Sequence, residues 1–505
     1  MRLPTLSVRL LAGGSLVALA TSLAAASPAV PGKKPPFLIP HSLVISTSTY
    51  DNTQGAIASL VVGTTLPDTD SQTTSAIAGN DYVNVWNNDS VDASFGVSSG
   101  IQLSDVDPST GSVLASLSVP SDQVVTSFSS KSELGLHVVN GANGPTLTFV
   151  GYGGAGIGSI DASDSDAVAG QDPTNPVTFC FGDSYAFPRE VVSIDQTGAI
   201  SYTPTIDYGG NNGRSALLGS NGLYYSVGNS NNGASSQYNQ GITNPDVTET
   251  TGLEAITPIN GSSWNVTIPP NNSAEVDPLL DFTFNGKLDK AGKDDNFRGV
   301  TEYGGALWFT KGSGSNGIDT VYTVSPLPDV SDAGSATIDI VPGFPTDSAK
   351  STGGNFTPFA VFFANPTTMY VTDEGTGNTT DQTTHAGLEK WSLVNGTWQL
   401  DYVLTNGLIG SIDNVTGYDG PWPTITTVGL RNLTGKVGKS TVTLWATTST
   451  ASASGDNGAD PNKVVVITDR LKPTTMTKRV AQESFSVLAG PTYGNVYRGV
   501  AYVNP

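Results

Sequence analysis

Cysteine, histidine and basic residues are scarce in this chain of 505 residues. It contains one Cys, three His and 23 Lys and Arg against 44 Asp and Glu, so its formal net charge is −21. The single cysteine, Cys180, excludes an intrachain disulfide, and its apolar surroundings in Thr178-Phe-Cys-Phe predict a buried, unreactive thiol. Because no basic run counters the acidic field, nucleic acids and acidic membrane surfaces are not expected partners.

Long apolar runs are also missing beyond the N-terminus. Residues 1–26 begin with Arg2 and Arg9, continue with an apolar stretch over 10–23 and end in Ala24-Ala-Ala, which is the pattern of a cleavable signal peptide. A Pro-rich linker follows over 27–40, and no later run reaches the roughly 20 apolar residues of a membrane-spanning helix. We therefore predict a secreted protein, extracellular or in the cell wall, with one domain over 41–505.

No long segment carries a helical period, whereas short runs rich in Val, Ile, Thr and aromatic residues alternate with Gly, Asn and Asp turns. One phrase recurs: Arg298-Gly-Val-Thr is followed by Leu307-Trp-Phe-Thr, and Arg431-Asn-Leu-Thr by Leu444-Trp-Ala-Thr. Similar pairs begin at Arg214, Phe359 and Glu133, and each is followed by a second pair of strands. The unit is a four-stranded antiparallel sheet, and radial stacking of such units buries their faces.

The two ends of the chain complete the pattern. Arg498-Gly-Val-Ala repeats the first half of the phrase and the chain then stops, while Leu43-Val-Ile-Ser repeats the second half. The C-terminal strand is therefore expected to pair with the N-terminal strands. With a further blade over Tyr82–Pro120, the fold class predicted is an all-β, seven-bladed β-propeller closed by this pairing. An array of two β-sandwich domains is the alternative.

Arginines recur at the start of the predicted innermost strands, where they would gather at one end of the central channel. Guanidinium groups bind carboxylates, sulfates and phosphates in a forked geometry, so the set predicts an anionic ligand such as a uronic-acid-bearing glycan. The predicted substrate-binding residues are Arg214, Arg298, Arg431, Arg498 and, at the start of a Gly-rich loop, Lys311. The alternative is that these side chains pair with buried carboxylates and hold neighbouring blades together.

Catalytic candidates are few. His137 lies in an inner-strand phrase, where a neutral imidazole could remove a proton beside a carboxylate that the arginines neutralise. Tyr303 and Tyr497, each close to an arginine phrase, are the candidate acids. The alternative for His137 is a hydrogen-bonded core residue.

Metal and cofactor signals are weak. The three histidines and one cysteine have no zinc-ligand spacing, and no cofactor is predicted. Carboxylates in predicted loops offer oxygen ligands for calcium, and the candidates are Asp373, Glu374, Asp456 and Asp460. The alternative is that these residues are solvated turn residues. Asn-x-Ser/Thr triplets permit glycosylation in a eukaryotic host, and they begin at Asn88, Asn260, Asn265, Asn271, Asn355, Asn378, Asn395, Asn414 and Asn432.

In repeat form the mature chain resembles the seven-bladed propellers, which include sugar lyases, lactonases, lectins and binding scaffolds. Through the arginine set, it is similar to the propeller lyases that act on glucuronate-containing plant gums. We therefore expect a monomer that binds an anionic glycan at the channel mouth, with cleavage by β-elimination as the favoured reaction. Whether the chain is an enzyme stays open, because a non-catalytic glycan- or protein-binding propeller and a metal-dependent lactonase or ester hydrolase are alternatives.

Overall fold

The computed structural model describes most of residues 36–49, 98–127, 133–154, 188–229, 252–377, 385–416 and 425–505, apart from single positions and short loops within these ranges. The predicted signal peptide, most of the predicted linker, Cys180 and the first part of the predicted blade over Tyr82–Pro120 lie outside the described residues.

Two sheets at the N-terminal end are joined by a short strand. The strands of the first are β1 (Leu43–Thr49), β2 (Ser98–Val106) and β3 (Val113–Ser118), and those of the second are β5 (His137–Gly141), β6 (Gly144–Gly153), β7 (Arg189–Asp195) and β8 (Ile200–Thr205). Strand β4 (Val124–Ser127) pairs with β2 on one side and β6 on the other.

Three further sheets follow, each an antiparallel meander in chain order. Their strands are β9 (Gly213–Leu218), β10 (Tyr224–Gly228), β11 (Gly252–Ile256) and β12 (Ser273–Glu275); β15 (Val300–Tyr303), β16 (Ala306–Lys311), β17 (Thr320–Val324) and β18 (Asp339–Ile340); and β19 (Pro358–Asn365), β20 (Thr368–Asp373), β21 (Gly387–Val394) and β22 (Thr397–Leu404). A two-stranded hairpin separates the first two of these sheets, formed by β13 (Thr283–Phe284) and β14 (Lys287–Leu288).

The last sheet has five strands, and the final strand of the chain returns to the first sheet. The five are β23 (Gly410–Ile412), β24 (Ile425–Val437), β25 (Thr441–Ser452), β26 (Val464–Arg470) and β27 (Ser486–Ala489), and the final strand is β28 (Asn495–Tyr502). Strand β28 pairs with β1 in antiparallel register, with Leu43 opposite Tyr502 and Thr49 opposite Asn495. This is the pairing that the terminal phrases predicted.

The sheets form a propeller-like all-β arrangement, but the described strands form fewer sheets than the prediction requires. Strands β2 and β3, which the sequence placed in a separate blade, extend the sheet of β28 and β1. The described strands consequently make five runs of four antiparallel strands and one sheet of five, which is fewer than seven blades. The turn at Asp107–Gly111 does form a hairpin as predicted, yet this hairpin is the outer half of the composite sheet.

Turn residues explain where the strands reverse. Gly304 and Gly305, between β15 and β16, and Asn395 and Gly396, between β21 and β22, all have positive φ. Consecutive left-handed residues make the tight hairpin turn whose twist matches that of the flanking strands, and Gly and Asn adopt it most easily. Helical structure in the described part of the chain is limited to short pieces such as α1 (Ala349–Thr352).

In four of the recurring phrases, the Thr or Ser at the end of the phrase links one sheet to the next, whereas Ser226 bonds to Ser215 within its own sheet. From the second strand of its own sheet, the hydroxyl of each of these four residues donates to a main-chain carbonyl on the innermost strand of the neighbouring sheet, or just before that strand. The pairs are Ser46 with Leu134 (3.0 Å), Thr310 with Phe359 (2.7 Å), Thr372 with Arg431 (2.5 Å) and Thr447 with Arg498 (3.0 Å). The repeat that revealed the fold is therefore the repeat that joins the sheets.

Candidate functional site

The four predicted arginines are all buried, on or directly before the inner strands. Each side chain is at most 4% exposed. Burial lowers the pKa of Arg214 well below its ordinary value, and the neighbouring charge of Arg298 lowers it further. Burial also lowers the pKa of Arg298, with Arg431 adding to the effect. These influences place Arg214, Arg298 and Arg431 near one another.

Glu374 lies between two of them. Its Oε1 is 3.9 Å from Nη2 of Arg298, and its Oε2 accepts a hydrogen bond of 3.2 Å from Nε of Arg431. Glu374 is itself 5% exposed. One carboxylate therefore bridges arginines from two neighbouring sheets, as the structural alternative for these residues describes.

The other cationic candidates also contact protein groups. Arg214 donates to the carbonyl of Phe297 (2.7 Å) and to Oδ1 of Asn296, and Nε of Arg498 donates to Oγ of Ser48 (2.6 Å). Lys311 is fully buried, with Nζ 2.8 Å from Oδ1 of Asp319. These five cations hold neighbouring segments together, and their binding of a ligand stays a prediction.

A cavity of about 280 Å³ opens further along the inner strands. Its wall includes Ser215, Gly299 and Asn432, the residues that directly follow Arg214, Arg298 and Arg431. The wall continues toward the C-terminal ends of the inner strands, where it includes Thr301, Glu302, Tyr303, Phe363, Thr434, Tyr502 and Asn504. Since it combines ring faces with hydroxyl, amide and carboxylate groups, it is the candidate site.

His137 lines this cavity, and its imidazole Nε2 is 2.8 Å from Oγ of Ser215 on the neighbouring sheet. Burial lowers the pKa of His137 to about 4. The imidazole is consequently neutral at physiological pH. It is able to accept a proton as the sequence analysis proposed, and it also makes the hydrogen bond that the structural alternative expects.

The two candidate tyrosines lie in different places. Tyr303 lines the same cavity as His137 and stacks on Phe363, with ring centroids 4.2 Å apart and planes 4° from parallel. Tyr497 lies near the opposite end of β28, where its hydroxyl donates to the carbonyl of Gly490 (3.1 Å) and burial raises its pKa. Among the described residues, only Tyr303 of the pair shares the cavity with His137.

Sequence reasoning missed Tyr502, which lines the cavity, and the residues that contact its side chain. Tyr502 stacks on Trp445, with centroids 5.3 Å apart, and its hydroxyl is 3.1 Å from Nδ1 of His41. Nζ of the exposed Lys436 lies 5.6 Å from the centroid of the Tyr502 ring. Lys436 follows Arg431 by five residues on β24, so this cation lies on the same strand as one of the predicted arginines.

The predicted calcium loops use their carboxylates internally. Asp373 accepts hydrogen bonds from the amide (2.7 Å) and hydroxyl (2.6 Å) of Thr357, Glu374 bridges the arginines, and Asp456 lies outside the described residues. In the part of the chain that the structure describes, no group of three or more His, Cys, Asp and Glu is arranged to hold a metal ion.

The asparagines of the predicted glycosylation triplets differ in solvent exposure. Asn432 is buried and donates to the carbonyl of Arg498 (2.8 Å), whereas Asn271, Asn355 and Asn395 are exposed. The remaining five triplets begin outside the described residues. No helix in the described ranges has the length and apolarity needed to cross a membrane.

No protein-family model matches the sequence, and neither does any curated protein. Among solved structures, similarity is found to a GH43_1 enzyme from Xanthomonas citri complexed with xylose, with 13% identity over 61% of this chain and 83% of that one and a TM-score of 0.30. A glycoside hydrolase family 43 arabinoxylan arabinofuranohydrolase from Bacillus subtilis, in complex with cellotetraose, matches with 12% identity over 92% of this chain and 91% of that one (TM-score 0.29). The N-terminal domain of Nup159 matches with 9% identity over 70% and 78% (TM-score 0.27). Both identity and superposition are low, and the fold assignment rests on the strand pairing in this chain.

Proposed function

We propose that this chain is a secreted, carbohydrate-binding β-propeller whose ring is closed by β28 and whose ligand enters the cavity between the inner strands. The composition of the cavity wall carries this proposal. Sugars present apolar ring faces and a rim of hydroxyl groups, and Tyr303 supplies an aromatic ring beside the polar side chains of Ser215, Thr301, Glu302 and Asn432.

The size of the cavity limits the ligand. Its volume of about 280 Å³ is near the lower end of the roughly 300 to 1,000 Å³ that is usual for ligand pockets. It therefore suits one end of a glycan chain and not a long internal segment.

Binding is tested by replacing the aromatic face. We expect Tyr303→Ala to weaken binding of a small neutral oligosaccharide by roughly tenfold, because a buried aromatic contact at the centre of a site carries much of the affinity. Tyr493→Ala is the matched control, since Tyr493 packs beside Val415 and away from the cavity. Calorimetry of both variants, with circular dichroism to confirm folding, decides the outcome. Equal affinities in Tyr303→Ala and the control would contradict the site.

A catalytic role is a second candidate, favoured by the neutral His137 and the Tyr303 phenol in one cavity. In a β-elimination, His137 would take the proton on the carbon beside a uronate carboxylate. The electron pair left behind would form a carbon–carbon double bond as the glycosidic carbon–oxygen bond breaks, and Tyr303 would protonate the leaving oxygen. The five buried cations do not line the cavity, so we assign attraction of the carboxylate to the exposed Lys436, whose ammonium lies 5.6 Å from the ring centroid of the cavity-lining Tyr502.

The lyase candidate predicts unsaturated products from a uronic-acid polysaccharide, followed by ultraviolet absorbance. Because the pKa of His137 is lowered to about 4, the base form dominates above that pH, and the rate should rise through this region and level off near neutrality. His137→Gln should abolish turnover but leave binding measurable. A wild-type protein that binds glycans and releases no product from a broad panel would leave the binding function alone standing.

A further inference from the structure

A second candidate site lies on the outer part of the last sheet. A groove of about 500 Å³ there is lined by four cationic side chains, Arg470, Lys472, Lys478 and Arg479. The segment from Arg470 to Arg479 contains no acidic residue, although the whole chain has 44 Asp and Glu against 23 Lys and Arg. A concentration of positive charge on so acidic a protein is a local feature that the net charge conceals.

The neighbouring acids leave most of this charge uncompensated. Arg470 forms an ion pair with Glu483, and Asp469 points into the interior, where Lys390 lies 3.0 Å from it. Among the described residues, neither Lys472, Lys478 nor Arg479 forms an ion pair, and all three are exposed. Cations held together on the surface without counter-charges attract anionic ligands.

The groove and the cavity lie at the same end of the last sheet. Thr441, which lines the groove, is paired with Arg470 at the start of β25. The turn before it contains Lys439 and follows Lys436, whose ammonium lies over the ring of the cavity-lining Tyr502. A hydrogen bond of 2.8 Å from the amide of Gly438 to the carbonyl of Thr441 fixes this turn. Lys436 and Lys439 therefore lie in the chain between the cavity-lining Gly435 and the groove-lining Ser440.

We propose that this groove binds the acidic sugar residues of a carboxylate-bearing oligosaccharide whose end occupies the cavity. The inference rests on the proposed function and adds to it the charge class of the ligand. An acidic glycan has about one charge per ring and many hydroxyl groups, which the Ser440, Thr441 and Thr477 hydroxyls in the groove can bind. Nucleic acids and anionic membranes present far denser negative charge over larger areas, so the net charge of −21 opposes them more strongly.

The test compares a galacturonate tetrasaccharide with its neutral galactose counterpart. We expect Lys472→Gln with Lys478→Gln to weaken binding of the galacturonate form by roughly five- to tenfold, because each exposed ion pair contributes a modest amount, and to leave the neutral form unaffected. Added salt should weaken galacturonate binding in the wild type more than in the variant.

The matched control is Lys287→Gln with Lys350→Gln, which changes the net charge equally at exposed lysines elsewhere. An equal loss in the control would reduce the effect to net charge and overturn the groove. The groove proposal is also overturned if the groove variant binds galacturonate like the wild type, or if an oligonucleotide binds the wild type as tightly as galacturonate does.

Failure of the two proposals is distinguishable. If Tyr303→Ala leaves both sugars bound as before while the groove variant loses the galacturonate form, the cavity is wrong and the groove stands. If only Tyr303→Ala has an effect, and it affects both sugars, the cavity stands and the groove is wrong.

Discussion

Arg298 and Arg431 share one buried carboxylate, Glu374, and this arrangement shows how the protein keeps cations in its interior. Two guanidinium groups repel each other, and the carboxylate between them offsets both the repulsion and part of the cost of burial. Guanidinium suits this role because it stays charged and donates in several directions. For Arg298 and Arg431, the repeated arginine therefore serves the contact between neighbouring sheets.

The hydroxyl links between sheets give a prediction at single-residue scale. Thr447→Val keeps the volume of the buried side chain but removes its hydrogen bond to the carbonyl of Arg498, so we expect the free energy of unfolding to fall by about 1 kcal/mol. Denaturant titration measures this change. Thr443→Val, at a partly exposed position on the same strand, is the control and should change it little. Identical values for the two variants would contradict the linking role.

Glu190 gives a prediction about pH. Its carboxylate is buried on β7 with no hydrogen-bond donor among the described residues, and burial raises its pKa to about 9 from an ordinary 4.5. The folded state holds a proton that the unfolded state releases, so this group lowers stability as pH rises from about 4.5 to about 9.

Glu190→Gln removes this titration. We expect it to raise the free energy of unfolding by roughly 1 to 3 kcal/mol near neutral pH and to change it little at the acidic end of the range. Unfolding curves of variant and wild type across the range provide the test. A gain that is the same at both ends would show that the effect is not protonation.

At the scale of strands, the glycine after an arginine in the recurring phrase allows two sheets to approach. A Cβ on Gly299 would lie 2.4 Å from the carbonyl oxygen of Phe359, and one on Gly499 would lie 2.2 Å from that of Leu134. Neither glycine has a positive φ, so close approach of backbone to backbone is the reason for its presence. The phrase Arg-Gly-Val thus combines a charged link with a steric requirement.

Gly499→Ala should therefore displace β28 from the neighbouring sheet. We expect a loss of roughly 1 to 3 kcal/mol in the free energy of unfolding, because extra volume in a packed interface forces the backbone to move. Gly490→Ala is the matched control, since a Cβ there meets no atom within 4 Å. Thermal unfolding of both variants decides the point, and a stable Gly499→Ala protein would show that the two sheets can separate at little cost.

At the scale of the whole molecule, β28 contacts structure from both ends of the chain. It pairs with β1, the amide of Gly499 donates to Oγ of Ser46 (2.7 Å), and the carbonyl of Arg498 accepts from Asn432 and Thr447 on the last sheet. The strand at the end of the sequence thus joins the first sheet to the last.

Deleting residues 498–505 should remove this join. We expect a broadened unfolding transition and faster proteolysis, because the edge of β1 and the flank of the last sheet become exposed. Deletion of Asn504 and Pro505 alone, which leaves β28 entire, is the control. An unchanged, sharp transition in the longer deletion would contradict the closing role of this strand.

The sequence by itself determined the all-β class, the four-stranded unit and the pairing of the two termini, because alternation of side chains, turn residues and a repeated phrase are local properties. It did not determine the number of sheets, since β2 and β3 resemble a new unit until their pairing with β1 is known. Only the tertiary structure decided that the repeated arginines contact Glu374 and other protein groups, because burial and partners depend on residues far apart in the chain. For the same reason, only the pairing of Thr441 with Arg470 shows that the turn after Lys436 adjoins the strand that leads into the cations of Arg470–Arg479.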